Sequence, residues 1–516
     1  MELMLLSELE LPAAVRVLGD PHLDVSGVSH DSRTVAPGDL YAALPGANVH
    51  GARFAPELLR SGVRAVLTDD AGLAAIRAAL AESGEDALAE RTTFLVVADP
   101  RAHLGHIAAQ VRGTDRESPQ LIGITGTNGK TTTTYMVDGL LTALGHTTGV
   151  IGTVATLIAG RRQSSVRTTP EAPELHALFA RMREAGVDTC AMEVSSHALS
   201  QHRVDGAHFR VVGFTNLSQD HLDFHGSMEE YFAAKAQLFT PEFADSGVIV
   251  LADDWARRLA DRAEIPVVTI SRDPADAPDY RITDEADGAF TLTGAGLSLR
   301  ARSPLPGDFN VLNTALALVL LLRTGIEPAA LAAHARTFGA PVPGRMEVVH
   351  PADPRVIVDY SHTPDAIAQV LAGLDGGPGP LAIVVGAGGD RDRGKRQAMG
   401  RAAATEADVV IVTDDNPRSE DPAAIRAAVL AGVEQALADG SARVPRTAVR
   451  EIGPRAEAIA AGIAAAGAGG TLVIAGKGHE TGQEIAGVVH DFDDREQTRA
   501  ALASRGAETG TGRVRK

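Results

Sequence analysis

The stretch LIGITGTNGKTTTTYM, residues 121–136, decides the fold of this chain. It starts as an apolar strand, breaks into a glycine loop and continues with residues that can form a helix. Loop N–H groups, a helix start and Lys130 together can cradle phosphates, and the Thr131 hydroxyl can bind Mg²⁺. The strict spacing is not met, because Ile124 stands where the first glycine is expected and glycines flank it. An incidental glycine-rich turn is the alternative, but the order of strand, glycines, lysine and threonine favours a nucleotide site.

Length and composition indicate a large globular protein. The chain has 516 residues, of which 44% are hydrophobic and 22% are charged, and its net charge is −18. This length predicts about three domains. The acidic balance gives no overall attraction for nucleic acid or for an anionic membrane. Anionic ligands would therefore need local clusters of basic residues.

Several features favour the cytoplasm. The single cysteine, Cys190, lies in an apolar run and cannot form an internal disulfide, so we expect it to be buried in the core. The start carries Glu2 where a secretion signal needs positive charge. The most apolar segment, residues 311–322, is too short to span a bilayer, for which about 20 residues are needed.

The chain reads as three α/β domains. Residues 1–112 mix short apolar runs with turn signals, which predicts a small α/β domain. Residues 113–340 alternate strands and helices around the glycine loop, which predicts a mainly parallel, doubly wound sheet. Residues 341–516 carry a second alternating series, which predicts a Rossmann-like domain. In such sheets ligands bind beyond the carboxyl ends of the strands, where polar motifs follow each apolar run.

Two polar motifs follow strands of the central domain. Glu193, in AMEVSSHAL, could complete the ligand shell of a phosphate-bound Mg²⁺, or it could cap the next helix. The segment FTNLSQDHLDFHG brings Asp220, His221, Asp223 and His225 into six positions. A solvated turn would also explain these residues.

Lys235 lies on the apolar face of the helix that follows. It is three or four residues from most of the stripe formed by Met228, Tyr231, Phe232, Leu238 and Phe239. An inward lysine needs a charged partner or a modification, unless its tail reaches the rim of the core. We therefore expect a functional role for Lys235.

Three motifs follow strands in the third domain. GAGGDRDRGKR, residues 386–396, is the densest basic stretch of the chain and contains Arg391, Arg393, Lys395 and Arg396. In DNPR, residues 415–418, Arg418 could bind a carboxylate through two hydrogen bonds while Asp415 faces an ammonium. In GKGHE, Gly476 allows close approach of a ligand and Glu480 offers a second ammonium partner. Each motif alone could be a turn, but together they point to a small amino-acid-like ligand.

The motifs together resemble those of the Mur ligases of peptidoglycan synthesis. The similarity covers nearly the whole chain and includes DSR with PGDLYAALPGA, TGTNGKTT, RTTPEAP, MEVSSHAL, FTNLSQDHLDFHG, GDFNVLN, GRME, DYSHTPDA, GGDRDRGKR, TDDNPR and AGKGHE. The TGTNGKTT form also accounts for the unusual glycine spacing. DNPR is similar to the form found in diaminopimelate-adding members.

The resemblance implies three sets of binding residues. The UDP-linked substrate would be bound by His30, Ser32, Ala47, Asn48, Val49, Thr168, Thr169, Ser195, Gln201 and Arg203. ATP would be bound by Gly126, Thr127, Asn128, Gly129, Lys130, Thr131, Thr132, Asn310 and Asn313. Diaminopimelate would be bound by Arg391, Asp415, Asn416, Pro417, Arg418, Gly476 and Glu480. The chain departs from the family at Arg167, where Asn is frequent. Residues 47–49 lie at positions that vary within the family.

The resemblance also implies the catalytic groups and cofactors. Lys130, Glu193, His221 and Lys235 would be catalytic, and Lys235 matches a lysine that the family carbamylates with CO₂. Two Mg²⁺ ions would be held by Thr131, Glu193, His221 and the carbamate of Lys235. Residues 339–347 are the candidate hinge about which the third domain would move.

The implied activity is ATP-dependent ligation of meso-diaminopimelate to UDP-N-acetylmuramoyl-L-alanyl-D-glutamate through an acyl phosphate, with ADP and phosphate as products. The enzyme would serve cell-wall synthesis, and thereby cell shape and division, as a cytoplasmic monomer without nucleic-acid or membrane partners. Alternatives are a lysine-adding or other Mur-type ligase and a folylpolyglutamate synthetase. An alternative from another functional class is a switch or scaffold that hydrolyses nucleotide to change shape. Its third domain would then be a partner-binding module.

Overall fold

The computed structural model describes residues 3–46, 48–165, 167–374 and 377–511. Its large β-sheets are three in number within these ranges, and helices cover them. This α/β architecture confirms the predicted fold class. The domain limits at 112/113 and 340/341 stay a prediction. None of the helices in the described ranges is both long and apolar enough to cross a membrane.

The first sheet has five strands in the order β2-β7-β6-β5-β4, and all of its pairs are parallel except β2 with β7. β1 and β3 form a separate two-stranded pair. The strands are β1 Met4–Leu5, β2 Arg16–Leu18, β3 Asp24–Val25, β4 Gly27–Ser29, β5 Asp39–Ala42, β6 Ala65–Thr68 and β7 Thr93–Val96. The helices are α1 Ala55–Arg60, α2 Asp70–Glu82, α3 Asp86–Glu90 and α4 Pro100–Arg112.

The central sheet has eleven strands in the order β11-β10-β9-β12-β8-β13-β14-β15-β16-β17-β18. The seven strands from β9 to β16 in this order are parallel, and the outer strands at both edges are antiparallel. The strands are β8 Gln120–Thr125, β9 Thr148–Ile151, β10 Thr156–Ile158, β11 Arg161–Gln163, β12 Thr189–Glu193, β13 Val211–Phe214, β14 Gly247–Val250, β15 Val267–Ser271, β16 Tyr280–Asp284, β17 Ala289–Gly294 and β18 Leu297–Arg302. The helices are α5 Lys130–Ala143, α6 Ala172–Glu184, α7 Ser196–Ser200, α8 Leu222–His225, α9 Met228–Ala236, α10 Asp254–Arg262, α11 Asp308–Arg323 and α12 Pro328–His334.

The third sheet has six strands in the order β19-β20-β24-β21-β22-β23, and all of its pairs are parallel except β19 with β20. β25 and β26 form a hairpin. The strands are β19 Glu347–His350, β20 Arg355–Asp359, β21 Leu381–Val385, β22 Val409–Val412, β23 Val449–Glu451, β24 Thr471–Ala475, β25 Gly482–Ile485 and β26 Val488–Asp491. The helices are α13 Pro364–Ala372, α14 Lys395–Glu406, α15 Pro422–Asp439, α16 Arg455–Ala466 and α17 Asp494–Thr511.

Each large sheet has apolar clusters on both faces. In the central sheet, α5 and α11 pack on one face, and α6 and α9 pack on the other. Strands buried on both faces read as continuous apolar runs, which is why β8, β12 and β13 were recognisable in the sequence. Cys190 in β12 is fully buried, as expected, and burial raises the pKa of its thiol.

The strand order places the glycine loop at the centre of the sheet. β8, which precedes the loop, lies between β12 and β13, and all three run parallel. Their carboxyl ends therefore meet at one edge, and the chain crosses from one side of β8 to the other between β12 and β13. Ligands of doubly wound sheets bind at such a crossing point. The fold thus brings the glycine loop, Glu193 and the segment after β13 together.

Candidate active site

The glycine loop needs glycine at two positions. Gly126 has φ +137° and Gly129 has φ +88°, values that side chains disfavour. A Cβ atom on Gly126 would lie 1.9 Å from Oγ1 of Thr215, and one on Gly129 would lie 2.5 Å from Oδ1 of Asn313. The loop is therefore packed tightly against its neighbours, and α5 begins directly after it at Lys130.

Two lysines donate hydrogen bonds to one carbonyl oxygen of this loop. Nζ of Lys130 lies 2.9 Å from the oxygen of Gly126, and Nζ of Lys235 lies 2.8 Å from the same atom. Lys235 is 1% exposed, as its position on the apolar stripe predicted. Its ammonium also lies 4.6 Å from the ring centre of Tyr231. Burial, and then the charge of Lys130, lower the pKa of Lys235 well below its usual value.

Glu193 lies at the end of β12 and is 1% exposed. Its carboxylate accepts hydrogen bonds from Oγ1 of Thr131 at 2.9 Å and from the backbone N–H of Thr153 at 2.7 Å. This pair of oxygen groups beside a phosphate loop fits Mg²⁺, which keeps phosphate and water ligands and needs only one or two from protein. No cluster of three or more His, Cys, Asp or Glu side chains placed for a metal occurs in the described part of the chain.

His221 and Asp220 follow β13. Burial lowers the pKa of His221 to about 3, so its ring is neutral and able to act as a ligand. Burial raises the pKa of Asp220, but the hydrogen bond and charge of His362 and the charge of Lys395 outweigh it and hold the pKa well below its usual range. Nζ of Lys395, at the start of α14, lies 3.0 Å from Oδ1 of Asp220. This ion pair connects the central and third domains beside the glycine loop.

A cavity of about 210 Å³ lies over the glycine loop. Its lining includes the predicted ATP residues from Thr127 to Thr132 and both Asn310 and Asn313. The third domain supplies further walls that sequence reasoning had not assigned, among them Arg345, Tyr360 and His362. Arg345 donates to Oγ1 of Thr131 at 3.3 Å and lies 4.1 Å from the ring centre of Tyr360. The motifs GRME and DYSHTPDA were visible signals for these residues.

A second cavity, of about 980 Å³, lies between the first domain and the central domain. Three of the predicted substrate residues line it, namely His30, Ser32 and Val49. Asn48 is not part of its lining, and Ala47 falls outside the described residues.

One carboxylate holds three arginines between this cavity and the next. Glu171, which is buried, lies 3.0 Å from Arg101, 3.4 Å from Arg167 and 2.9 Å from Arg203. The cluster carries more positive charge than Glu171 neutralises. It is therefore a local basic site of the kind that an acidic chain needs to hold an anion.

A third cavity, of about 560 Å³, joins the central and third domains. The central domain contributes the predicted substrate residues Thr168, Thr169, Ser195 and Arg203. The third domain contributes the predicted amino-acid residues Arg391, Asp415, Asn416, Arg418, Gly476 and Glu480. Two predicted residues do not line it. Gln201 instead accepts a hydrogen bond from Arg203 at 2.5 Å, and Pro417 packs against Gly389.

The basic stretch of residues 386–396 is less available than the sequence suggested. Arg393 and Arg396 both pair with Glu420, at 3.2 and 2.8 Å, and Lys395 pairs with Asp220. Arg391 and Lys395 line the third cavity, but of these two only Lys395 is already held in an ion pair with Asp220. Charge density along the sequence overestimated the free positive charge, because the neutralising carboxylates lie on other segments.

Lys477 is a member of the third site that sequence reasoning missed. It is fully buried two residues after the end of β24, and its ammonium contacts Asn416 and Glu480 at 3.0 and 3.3 Å. The lysine of the GKGHE motif, close behind an apolar strand, was the available signal.

Comparison with known proteins agrees with this architecture. Family profiles match residues 24–112 (Mur ligase family, catalytic domain), 124–321 (Mur ligase middle domain) and 344–478 (Mur ligase, glutamate ligase domain). The UDP-N-acetylmuramoyl-L-alanyl-D-glutamate–2,6-diaminopimelate ligase of Streptomyces avermitilis is 49% identical over 489 residues, which cover 93% of this chain and 92% of that protein. The UDP-N-acetylmuramyl-tripeptide synthetase of Leifsonia xyli is 42% identical and covers 94% of this chain and 93% of its own length.

A solved structure of a UDP-N-acetylmuramoyl-L-alanyl-D-glutamate–2,6-diaminopimelate ligase superposes with a TM-score of 0.63 at 33% identity, covering 94% of this chain and 96% of that one. The similarity therefore extends through all three sheets. With nearly full coverage at this level of identity, the chain belongs to the Mur ligase family.

Proposed function

We propose that this chain joins meso-2,6-diaminopimelate to the D-glutamyl residue of UDP-N-acetylmuramoyl-L-alanyl-D-glutamate at the expense of ATP. The main support for the proposal is the lining of the third cavity. It brings the residues implied for the glutamyl end of one substrate and those implied for the amino acid into a single space. The nucleotide cavity shares Thr153, Ser195 and His221 with it. Carboxylate, phosphate and amine could thus meet in the arrangement of domains that the structure has.

The reaction has two steps in this geometry. The glutamyl carboxylate attacks the γ-phosphorus of ATP, forming an acyl phosphate and releasing ADP. The amine of diaminopimelate then attacks the acyl carbon, and phosphate leaves from the tetrahedral intermediate with loss of a proton. Neither step needs a protein nucleophile. The chain instead has to bring two anions together, and Lys130 with Arg203 supply positive charge on the two sides.

Mg²⁺ held by Thr131, Glu193 and phosphate oxygens would neutralise charge at the reacting phosphate. A second site would use His221 and Glu193 with a carbamate on Lys235. An ammonium cannot bind a cation, so this second site requires the modification. The buried position of Lys235 supports it, because the neutral amine is the form that adds to CO₂ and the described residues give it no carboxylate partner.

The third domain would swing about residues 339–347 to deliver the amine. Gly344 and Met346 both have positive φ, at +65° and +46°, and Arg345 between them contacts Thr131 in the first turn of α5. A change in the backbone here would break that contact and open the nucleotide cavity. Small-angle scattering curves that do not change when ATP analogue and both substrates saturate the protein would count against this movement.

One assay tests the assignment. Purified protein receives ATP, the UDP-linked dipeptide and either diaminopimelate or lysine, and the product is weighed by mass spectrometry. A tripeptide product with diaminopimelate supports the proposal, and a product only with lysine would make the chain a lysine-adding ligase. Phosphate release without any amino acid would favour the switch or scaffold alternative. We place this activity in the cytoplasm and expect a monomer, which light scattering would test.

A further inference from the structure

Lys477 lies behind the wall of the third cavity, where its charge is enclosed by protein. Its side chain has no exposed surface, and Gly476 before it lines the cavity. The ammonium donates to Oδ1 of Asn416 at 3.0 Å and to Oε2 of Glu480 at 3.3 Å, and it lies 3.7 Å from Oδ1 of Asp415. All three partners line the cavity, so Lys477 contacts the amino-acid site from behind.

The ammonium fixes the orientation of the Asn416 amide. A lysine ammonium can only donate, so the atom of Asn416 that faces it must be the oxygen. The backbone N–H of Glu484 donates to the same oxygen at 3.0 Å, and both lone pairs of Oδ1 are then used. The amide nitrogen therefore faces Glu480, whose Oε2 accepts from it at 2.8 Å.

This orientation leaves a defined set of groups for a ligand. Asn416 keeps one N–H and no free lone pair, so it can only donate to the cavity. Oε1 of Glu480 and Oδ2 of Asp415 accept no hydrogen bond from the described residues and can take up an ammonium. Arg391 and Arg418 line the same space and can receive a carboxylate, and Arg418 also pairs with Glu484 at 3.3 Å. The cavity thus has a donor side and an acceptor side.

Without Lys477 the arrangement would lose its polarity. Asp415 and Glu480 would face each other with less compensation, and Oδ1 of Asn416 would keep only the backbone N–H of Glu484 as a donor. The less compensated carboxylates would then repel the ligand carboxylate. The affinity for a ligand whose distal end carries only an ammonium would therefore fall less than the affinity for a ligand whose distal end also carries a carboxylate.

We propose that Lys477 is a positioning residue that gives the third cavity its donor and acceptor sides, and that this polarity selects a ligand whose distal end carries both an ammonium and a carboxylate. The inference rests on the proposed function and specifies how its amino-acid site chooses a substrate. Lysine is the matched probe, because it equals diaminopimelate without one carboxylate.

The test is the ratio of kcat/KM for diaminopimelate to kcat/KM for lysine in Lys477→Met and Lys477→Gln. Methionine removes the charge at similar length, and glutamine keeps hydrogen bonding but can also accept. We expect the ratio to fall by about 10- to 100-fold in both variants, as for loss of a charge-assisted hydrogen bond. We expect KM for ATP to stay within about twofold, since the nucleotide cavity has other walls.

Arg401→Met is the control for loss of a paired cation in the same domain, where Arg401 pairs with Asp439 at 2.8 Å outside the cavity. Its ratio should equal that of the wild type. An unchanged ratio in a folded Lys477 variant, judged by its melting curve, would overturn the inference while leaving the proposed function intact. A wild type that prefers lysine would overturn both. If the wild type forms no product with either amino acid, the affinities of diaminopimelate and lysine for the wild type and the same variants are measured by calorimetry. The ratio of these affinities then tests the inference independently of the proposed function.

Discussion

Replacing Lys235 by alanine should abolish most of the activity through loss of an anionic ligand. Nζ of Lys235 and Nζ of Lys130 each lie within 2.9 Å of the same carbonyl oxygen, that of Gly126. The two nitrogens are therefore less than about 6 Å apart, and two ammonium charges at that distance repel by about 3 kcal/mol at an effective dielectric constant of 20. A carbamate on Lys235 reverses the sign of this interaction. The repulsion between the two ammonium groups thus supports the proposed carbamate.

The expected loss of kcat in Lys235→Ala is about 10²-fold or more, as for removal of one group that stabilises the transition state electrostatically. Formate or acetate at high concentration should restore part of the rate by entering the space left by the side chain. Met228→Ala is the control, because Met228 lies on the same helix and packs against the same apolar cluster without reaching the glycine loop. It should keep the wild-type rate and lose only some thermal stability.

Isotopically labelled bicarbonate would reveal the carbamate directly by carbon NMR in the wild type and not in Lys235→Ala. Full activity of the alanine variant would refute the assignment of Lys235 as a metal ligand. A low rate that no short carboxylate restores, together with no labelled carbamate in the wild type, would reduce Lys235 to a packing role.

The same lysine predicts a pH dependence of stability in bicarbonate-free buffer. The pKa of Lys235 is lowered in the folded chain, so the unfolded chain binds more protons at neutral pH. The free energy of unfolding should therefore rise as the pH increases toward the ordinary lysine pKa of 10.5. Denaturant titrations should show a smaller rise in Lys235→Ala, and an equal rise would contradict the burial argument.

Two further variants test the loop and the domain contact. Gly129→Ala places a Cβ atom 2.5 Å from Asn313 at φ +88° and should raise KM for ATP about tenfold, whereas Gly145→Ala, with φ +86° in open space, should affect stability alone. Equal nucleotide affinity in both would argue against a tight loop. Asp220→Asn removes the ion pair with Lys395 and should weaken domain closure by about 2 kcal/mol, visible as expansion in scattering with bound nucleotide and as a lower kcat/KM. Unchanged scattering would show that other contacts hold the domains together.

The sequence predicted what depends on local pattern. Apolar runs followed by polar motifs located the strand ends, and the helical stripe identified Lys235 as buried before any coordinates were known. Both signals arise within about one element of chain, where periodicity decides which side faces the core.

Contacts between distant segments were not predictable in the same way. Asp220 and Lys395 are 175 residues apart in sequence, and each alone reads as a solvated charge. Glu420 neutralises arginines of another loop, so the basic stretch looked freer than it is. Lys477 was overlooked because sequence reasoning rested on the glycines and Glu480 of its motif, whereas its shortest contact is with Asn416, 61 residues earlier.

The three arginines held by Glu171 have a consequence for the rate at which a substrate comes and goes. The chain as a whole carries a charge of −18 and slows the approach of an anion, whereas the arginine cluster retains one that has arrived. Added salt screens both fields. The association and dissociation of the nucleotide-linked substrate should therefore both become faster as ionic strength rises, so that its residence time changes more than its overall affinity does.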